Sequence, residues 1–193
     1  MPPEQIIVIR HAQKPTRKPK RIGVREDGTG DAESLTVRGW QHAGALAAAF
    51  AGTGSGAGDT LAGRPDVIFA SGAGKKRVRI GGREVTVGSR SRRPQQTVGA
   101  LAEALKLVPV TTHTKGEEQA LVADALGRTG VVLICWQHQR IAAIGNLIVG
   151  DDTTVPQRWP EDRYDLVYVF DRVGDDWSFR QLAHERLVVL PGG

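Results

Sequence analysis

The sequence contains one cysteine, Cys135, so it can build neither an intramolecular disulfide framework nor a cysteine-cluster metal site. No apolar stretch approaches the ~18 residues that a membrane-spanning helix requires. The opening Met-Pro-Pro-Glu-Gln has no basic region followed by a long apolar run, so no secretory signal is expected. These absences point to the cytoplasm and away from a membrane partner. His42, His113 and His184 have no neighbours at metal-ligand spacing and read as surface or structural residues, so no metal and no cofactor are expected. Cys135 lies inside an apolar run and reads as core.

The chain does carry an uneven distribution of positive charge. From Lys14 to Arg25 there are six basic residues and no acid; from Lys75 to Arg93 there are eight against the single acid Glu84. Such patches attract anions, and they also serve simply as solvated loops that aid solubility. Neither stretch has interleaved aromatic residues, which argues against a nucleic-acid partner.

The hydrophobic pattern alternates between two periods. Gln5 to Arg10, Asp66 to Ala70 and Val131 to Trp136 are short β-branched or apolar runs of the kind found in buried strands, and Val108 to Thr112 reads as a further one. Thr36 reads as the N-cap of a helix whose stripe runs through Gly39, Ala43, Leu46, Ala47 and Phe50. Gly52 to Gly63 reads as a glycine-rich connection. Ser91 reads as the cap of a second helix with Pro94 in its first turn. A third helix starts near Glu117, and Ile141 to Ile148 suggests a fourth. Asp165 to Arg172 and Trp177 to Leu182 read as closing strands. The segment around 75–88 alternates on both sides of Gly81-Gly82 and predicts an exposed β-hairpin. Strands alternating with helices predict a single-domain, three-layer α/β/α sandwich spanning 1–193 with a mostly parallel central sheet. Ligands of such sheets bind beyond the C-terminal ends of the strands.

Two histidines stand at that edge. His11 ends the first strand, directly after Arg10, and His138 follows the VVLICW strand by two residues. Arg93 opens the helix after the hairpin. The chemistry that suits this set is phosphoryl transfer. A neutral imidazole is a competent nucleophile near neutral pH. Guanidinium groups match the equatorial phosphoryl oxygens with forked, charge-assisted hydrogen bonds. A second histidine adds a donor.

On these residues the chain resembles the histidine phosphatase superfamily, also called phosphoglycerate mutase-like. IIVIRHAQKP is similar to the family's first strand and Arg-His signature, and SLTVRGWQHAGALA to its first helix. FAS followed by SRRPQQT resembles the segment ending in Arg-x-x-Gln-Thr. VVLICWQH resembles the strand carrying the second histidine, and RWPEDRYDLVYVF a tail found in one bacterial subgroup. The resemblance implies that His11 becomes a phosphohistidine and that Arg10, Arg93 and His138 bind the phosphoryl oxygens. It also implies metal-independent hydrolysis of a phosphomonoester, on a small phosphorylated molecule or a phosphoprotein; a mutase is a further possibility. Lys14 is expected at the rim. For the general acid the family implies a glutamate between Arg93 and His138, where Glu117 and Glu118 are the candidates; both also read as ordinary helix-start acids. The acid that another branch places after the second histidine is Gln139 here. Gln13 and Gln137 likewise stand where relatives often have glutamate. These exchanges make the expected pocket more positive, and they admit an alternative: a phospho-ligand-binding module of the same fold without turnover.

Overall fold

The apolar run at the start of the chain forms strand β1, Gln5–Arg10, and every residue from Ile6 to Arg10 is buried. The structure, a computed structural model, describes residues 2–52 and 62–183. Most of the expected glycine-rich connection and all of His184 therefore lie outside the described residues. After β1 come helix α1 (Val37–Ala51), strands β2 (Val67–Ala70), β3 (Gly74–Ile80) and β4 (Arg83–Ser89), helices α2 (Arg93–Leu105) and α3 (Glu118–Leu126), strand β5 (Val131–Trp136), helix α4 (His138–Val149), and strands β6 (Leu166–Val173) and β7 (Asp176–Ala183).

Five strands form the central sheet in the order β2-β5-β1-β6-β7. β2, β5 and β1 are mutually parallel, β6 runs against β1, and β7 runs against β6. Thus β1, β2, β5 and β7 point one way and β6 alone points the other, so the sheet is mixed but mostly parallel. The strand period of two divides the core. Ile6, Val8, Val132, Ile134 and Trp136 face α3 and α4, where Leu121, Val122, Ile141 and Ile144 meet them. Ile7, Ile9, Leu133 and Cys135 face α1 and α2, where Leu46, Phe50, Val98 and Leu101 meet them. This is the three-layer sandwich expected from the sequence, and Cys135 is fully buried in it.

Two local expectations are corrected. Val108 to Thr112 does not form a strand; it makes one isolated bridge, Val110 to Phe69. Pro109 has no backbone N–H to continue a ladder, and Val108 is exposed. Ser91 does not cap α2. Arg92 occupies the N-cap position, without a side-chain cap, and Pro94 sits in the first turn as expected. Thr36 does cap α1, its Oγ1 accepting from the Gly39 amide at 3.0 Å.

The predicted hairpin is β3–β4, a separate two-stranded sheet closed by Gly81-Gly82, both with positive φ. Lys75, Lys76, Arg77, Arg79 and Arg83 are exposed on it. It is anchored at its base. The Gly88 amide donates to the Lys115 carbonyl at 2.7 Å, Val87 is buried against Gly116, and Lys76 Nζ pairs with Glu117 Oε2 at 2.9 Å. Among the described residues, no helix is long and apolar enough to cross a membrane.

Candidate active site

Parallel pairing of β1 with β5 sets the site. Arg10 is in register with Trp136, and the His11 amide donates to the Trp136 carbonyl at 3.1 Å. His11 therefore leaves the C-terminal end of one strand while His138, one residue beyond Gln137, opens α4 after the neighbouring strand. The start of α2 is pinned to the same edge. Thr97 Oγ1 donates to the Arg93 carbonyl at 2.7 Å and accepts from the Ala12 amide at 2.8 Å. The Thr36 amide at the cap of α1 donates to the Gln13 carbonyl at 3.1 Å, and Thr36 Oγ1 donates to Gln13 Oε1 at 2.8 Å. Gln13 thus ties the helix start to the chain just beyond His11.

His11 is 4% exposed, and its Nδ1 lies 2.8 Å from the Ala12 carbonyl. A carbonyl only accepts, so Nδ1 carries the proton in the neutral ring. The lone pair is left on Nε2, which has no hydrogen-bond partner among the described residues. Burial pushes the His11 pKa down to about 3, reinforced by the charges of Arg10, Arg93 and His138 and opposed by the Ala12 bond. His138 is lowered to about 4 by burial and then by Arg10, Lys14 and Lys115. Both rings are neutral at pH 7.

Arg10 is buried and held from one side only. Its Nη1 donates to the carbonyls of Glu161 at 2.6 Å, Arg163 at 3.1 Å and Pro160 at 3.3 Å, and its guanidinium carbon lies 4.0 Å from the centroid of the Tyr164 ring. Arg10 Nε and Nη2 and His138 Nδ1 are buried and make no hydrogen bond to any described residue. Arg93 is held by Ser91 Oγ, which accepts from Nε at 3.2 Å, and by Glu33, 3.4 Å from Nη2. Burial lowers the pKa of both guanidinium groups, yet an arginine stays cationic in proteins. Lys14 is lowered by partial burial and by the neighbouring cations Arg10, Arg93 and Lys115, with Glu161 opposing.

Arg10, His11, Arg93 and His138 are thus brought within electrostatic reach of one another, with Lys14 and Lys115 beside them. Glu117 and Glu118 are engaged elsewhere. Glu117 Oε2 accepts from the Thr114 amide at 3.0 Å and pairs with Lys76. Glu118 is buried, and its Oε1 accepts from the Trp136 indole at 3.0 Å and the Gly116 amide at 2.9 Å. Gln137 is buried and donates to Ser71 Oγ at 3.0 Å. His113 pairs with Asp124 at 3.0 Å and His42 is buried on α1.

Sequence reasoning missed Lys115, the roles of Ser91 and Glu33, and the 158–164 segment as a wall of the site. Its first part, Arg158 to Glu161, lines a cleft of about 600 Å³ with His138. A larger groove of about 860 Å³ beside α2 contains neither histidine.

No family model matches the chain, and no curated protein does. Solved structures match over almost the whole length. One is described as the phosphohistidine phosphatase SixA from Agrobacterium tumefaciens, with 19% identity, 94% of this chain and 99% of that one covered, and a TM-score of 0.55. A second is a mycobacterial glucosyl-3-phosphoglycerate phosphatase in complex with VO3, with 14% identity, 92% and 97% covered, and a TM-score of 0.51. The chain has the histidine phosphatase fold. Mycobacterial hydrolase 1 shares it at 14% identity, 94% and 97% covered, and a TM-score of 0.52. In this histidine phosphatase fold, the segment that holds Arg10 also borders the cleft beside His138.

Proposed function

We propose that this protein hydrolyses phosphomonoesters through a phosphohistidine on His11. The reading rests on one observation: Arg10 Nε, Arg10 Nη2 and His138 Nδ1 are buried without a partner among the described residues, beside a histidine whose Nε2 lone pair meets none of them. Burying two unpaired guanidinium donors is costly unless an anion answers them. A phosphoryl group supplies such an anion, and its charge spreads over oxygens in the transition state, where preorganised donors count most. That the fold is shared with proteins described as phosphatases, one of them in complex with VO3, supports the same reading.

In the first step His11 Nε2 attacks phosphorus, an N–P bond forms and the ester P–O bond breaks. Arg10, Arg93 and His138 hold the phosphoryl oxygens, with Lys14 at the rim. Water then attacks phosphorus, the N–P bond breaks and phosphate leaves. No step calls on a metal or cofactor, and the setting is the cytoplasm. The substrate is a small phosphorylated molecule or a phosphoprotein.

Rapid quench with radiolabelled substrate tests the mechanism. An acid-labile, base-stable phosphoenzyme is expected in the wild type and absent in His11→Ala. Persistence of turnover in His11→Ala overturns it. The engagement of Glu117 and Glu118 favours a second reading, in which the pocket holds a phosphorylated ligand without turnover. Hydrolysis of an aryl phosphate that disappears in His11→Ala excludes that alternative.

A further inference from the structure

Phosphoryl transfer to His11 leaves one chemical need unmet. The alkoxide that departs from an alkyl phosphate must receive a proton, and the two acids nearest in sequence to that role hold structural hydrogen bonds instead. We propose that Glu161 is the proton donor to the leaving group. The inference rests on the phosphatase reading above and adds to it the residue that completes the first step.

Three observations carry it. First, Glu161 lines the cleft of about 600 Å³ that opens beside His138, together with Gln139, Gln157, Arg158 and Trp159, and it is the one acid there. Second, its position is fixed by the phosphoryl-binding arginine itself: Arg10 Nη1 donates to the Glu161 carbonyl at 2.6 Å, while Arg10 Nε and Nη2 remain free for the anion. The guanidinium therefore joins the Glu161 backbone to the donors proposed for the phosphoryl group. Third, the Glu161 carboxylate has no hydrogen bond or ion pair among the described residues, whereas Glu33 is paired with Arg93, Glu117 with Lys76, and Asp165 with Arg163. Its charge acts on both Arg10 and Lys14, which places it beside the cationic set.

The cleft then has a defined use. It receives the alcohol portion of the ester, with the Gln139 amide and the Arg158 guanidinium suited to hydroxyl or carboxylate groups. As the P–O bond breaks, the Glu161 carboxyl proton passes to the departing oxygen. The Glu161 carboxylate regains its proton from solvent, while the protons of the water that attacks phosphorus in the second step leave with the phosphate.

The test compares two esters. para-Nitrophenyl phosphate has a leaving group that departs without protonation; n-butyl phosphate does not. Glu161→Gln is expected to lower kcat on n-butyl phosphate by about 100-fold or more and on para-nitrophenyl phosphate by less than about 3-fold. Glu161→Asp should recover part of the loss, and Asp162→Asn should change neither ester. Equal losses on both esters, or none, overturn the assignment, as does a leaving-group-dependent loss in Glu118→Gln instead. If the wild type hydrolyses para-nitrophenyl phosphate through His11 but Glu161→Gln behaves as wild type, this inference fails alone. If the wild type hydrolyses neither ester, the phosphatase reading fails and this one with it.

Discussion

Arg10 Nη1 and the carbonyl oxygen of Glu161 lie 2.6 Å apart, joining the end of β1 to a segment 151 residues later in the chain. One guanidinium thereby orders a wall of the site and still presents two free donors. Lysine has a single ammonium and cannot do both. Arg10→Lys is expected to lower kcat/KM by about 100-fold or more, the scale of losing a preorganised donor. It should also raise proteolytic cleavage within 158–164. Unchanged cleavage would show that the segment stands without Arg10.

The two depressed histidines make stability depend on pH. A histidine in the unfolded chain titrates near ~6.5, whereas His11 and His138 take up protons only near 3 and 4 in the fold. Between these limits the unfolded state binds more protons, so stability rises with pH and is lost as pH falls from about 6.5. The thermal midpoint should therefore drop by a few degrees per unit between pH 6 and pH 4.5. His138→Asn should flatten that slope. A midpoint independent of pH, with no change in the variant, would contradict the buried neutral rings.

Arg93 is aimed by two side chains that do not themselves reach the phosphoryl pocket in the proposed mechanism. Ser91→Ala removes the acceptor of its Nε, and Glu33→Gln removes the paired charge. Each is expected to raise KM for para-nitrophenyl phosphate about 3- to 10-fold, the scale of one ~1 kcal/mol hydrogen bond, with a smaller effect on kcat. Substitution of Arg93 itself by alanine should depress both. Steady-state kinetics on the three variants separates positioning from direct contact.

Gly39 sets two effects against each other. Alanine in an exposed helix interior gains about 1 kcal/mol over glycine. Here a Cβ would stand 2.6 Å from the Gln13 carbonyl oxygen and 3.0 Å from Leu35 Cβ. Backbone cannot yield cheaply, so the clash wins, and Gly39→Ala should destabilise by about 1–3 kcal/mol in denaturant unfolding. Because Gln13 lies two residues beyond His11, activity should fall further than stability alone explains. Gly44 has open space around it, and Gly44→Ala on the same helix should be neutral or stabilising.

The core elements were legible because they are buried and periodic. β1, β5 and the stripe of α1 all emerge where their patterns place them, with Thr36 capping as read. Ser91 was misread because local cap chemistry and tertiary need compete for the same hydroxyl, and Arg93 takes it. The strand expected at 108–112 fails on Pro109, whose missing donor leaves only the Val110 bridge. The tail RWPEDRYD could be matched by resemblance, yet its contact with Arg10 has no period and no local spacing to betray it. Lys115 was invisible for the same reason; it reaches the site through a loop fixed by β4 and Glu118.

β1 is the middle strand of the five, so the residue it delivers hangs from the best-protected part of the sheet. The 158–164 segment has no regular secondary structure, and Arg158, Glu161 and Asp162 are exposed. A pocket built this way has one wall of central sheet and one of irregular chain pinned by Arg10. Amide exchange at His11 should rank with the slowest in the molecule, and the opposite wall should set how fast a guest enters and leaves.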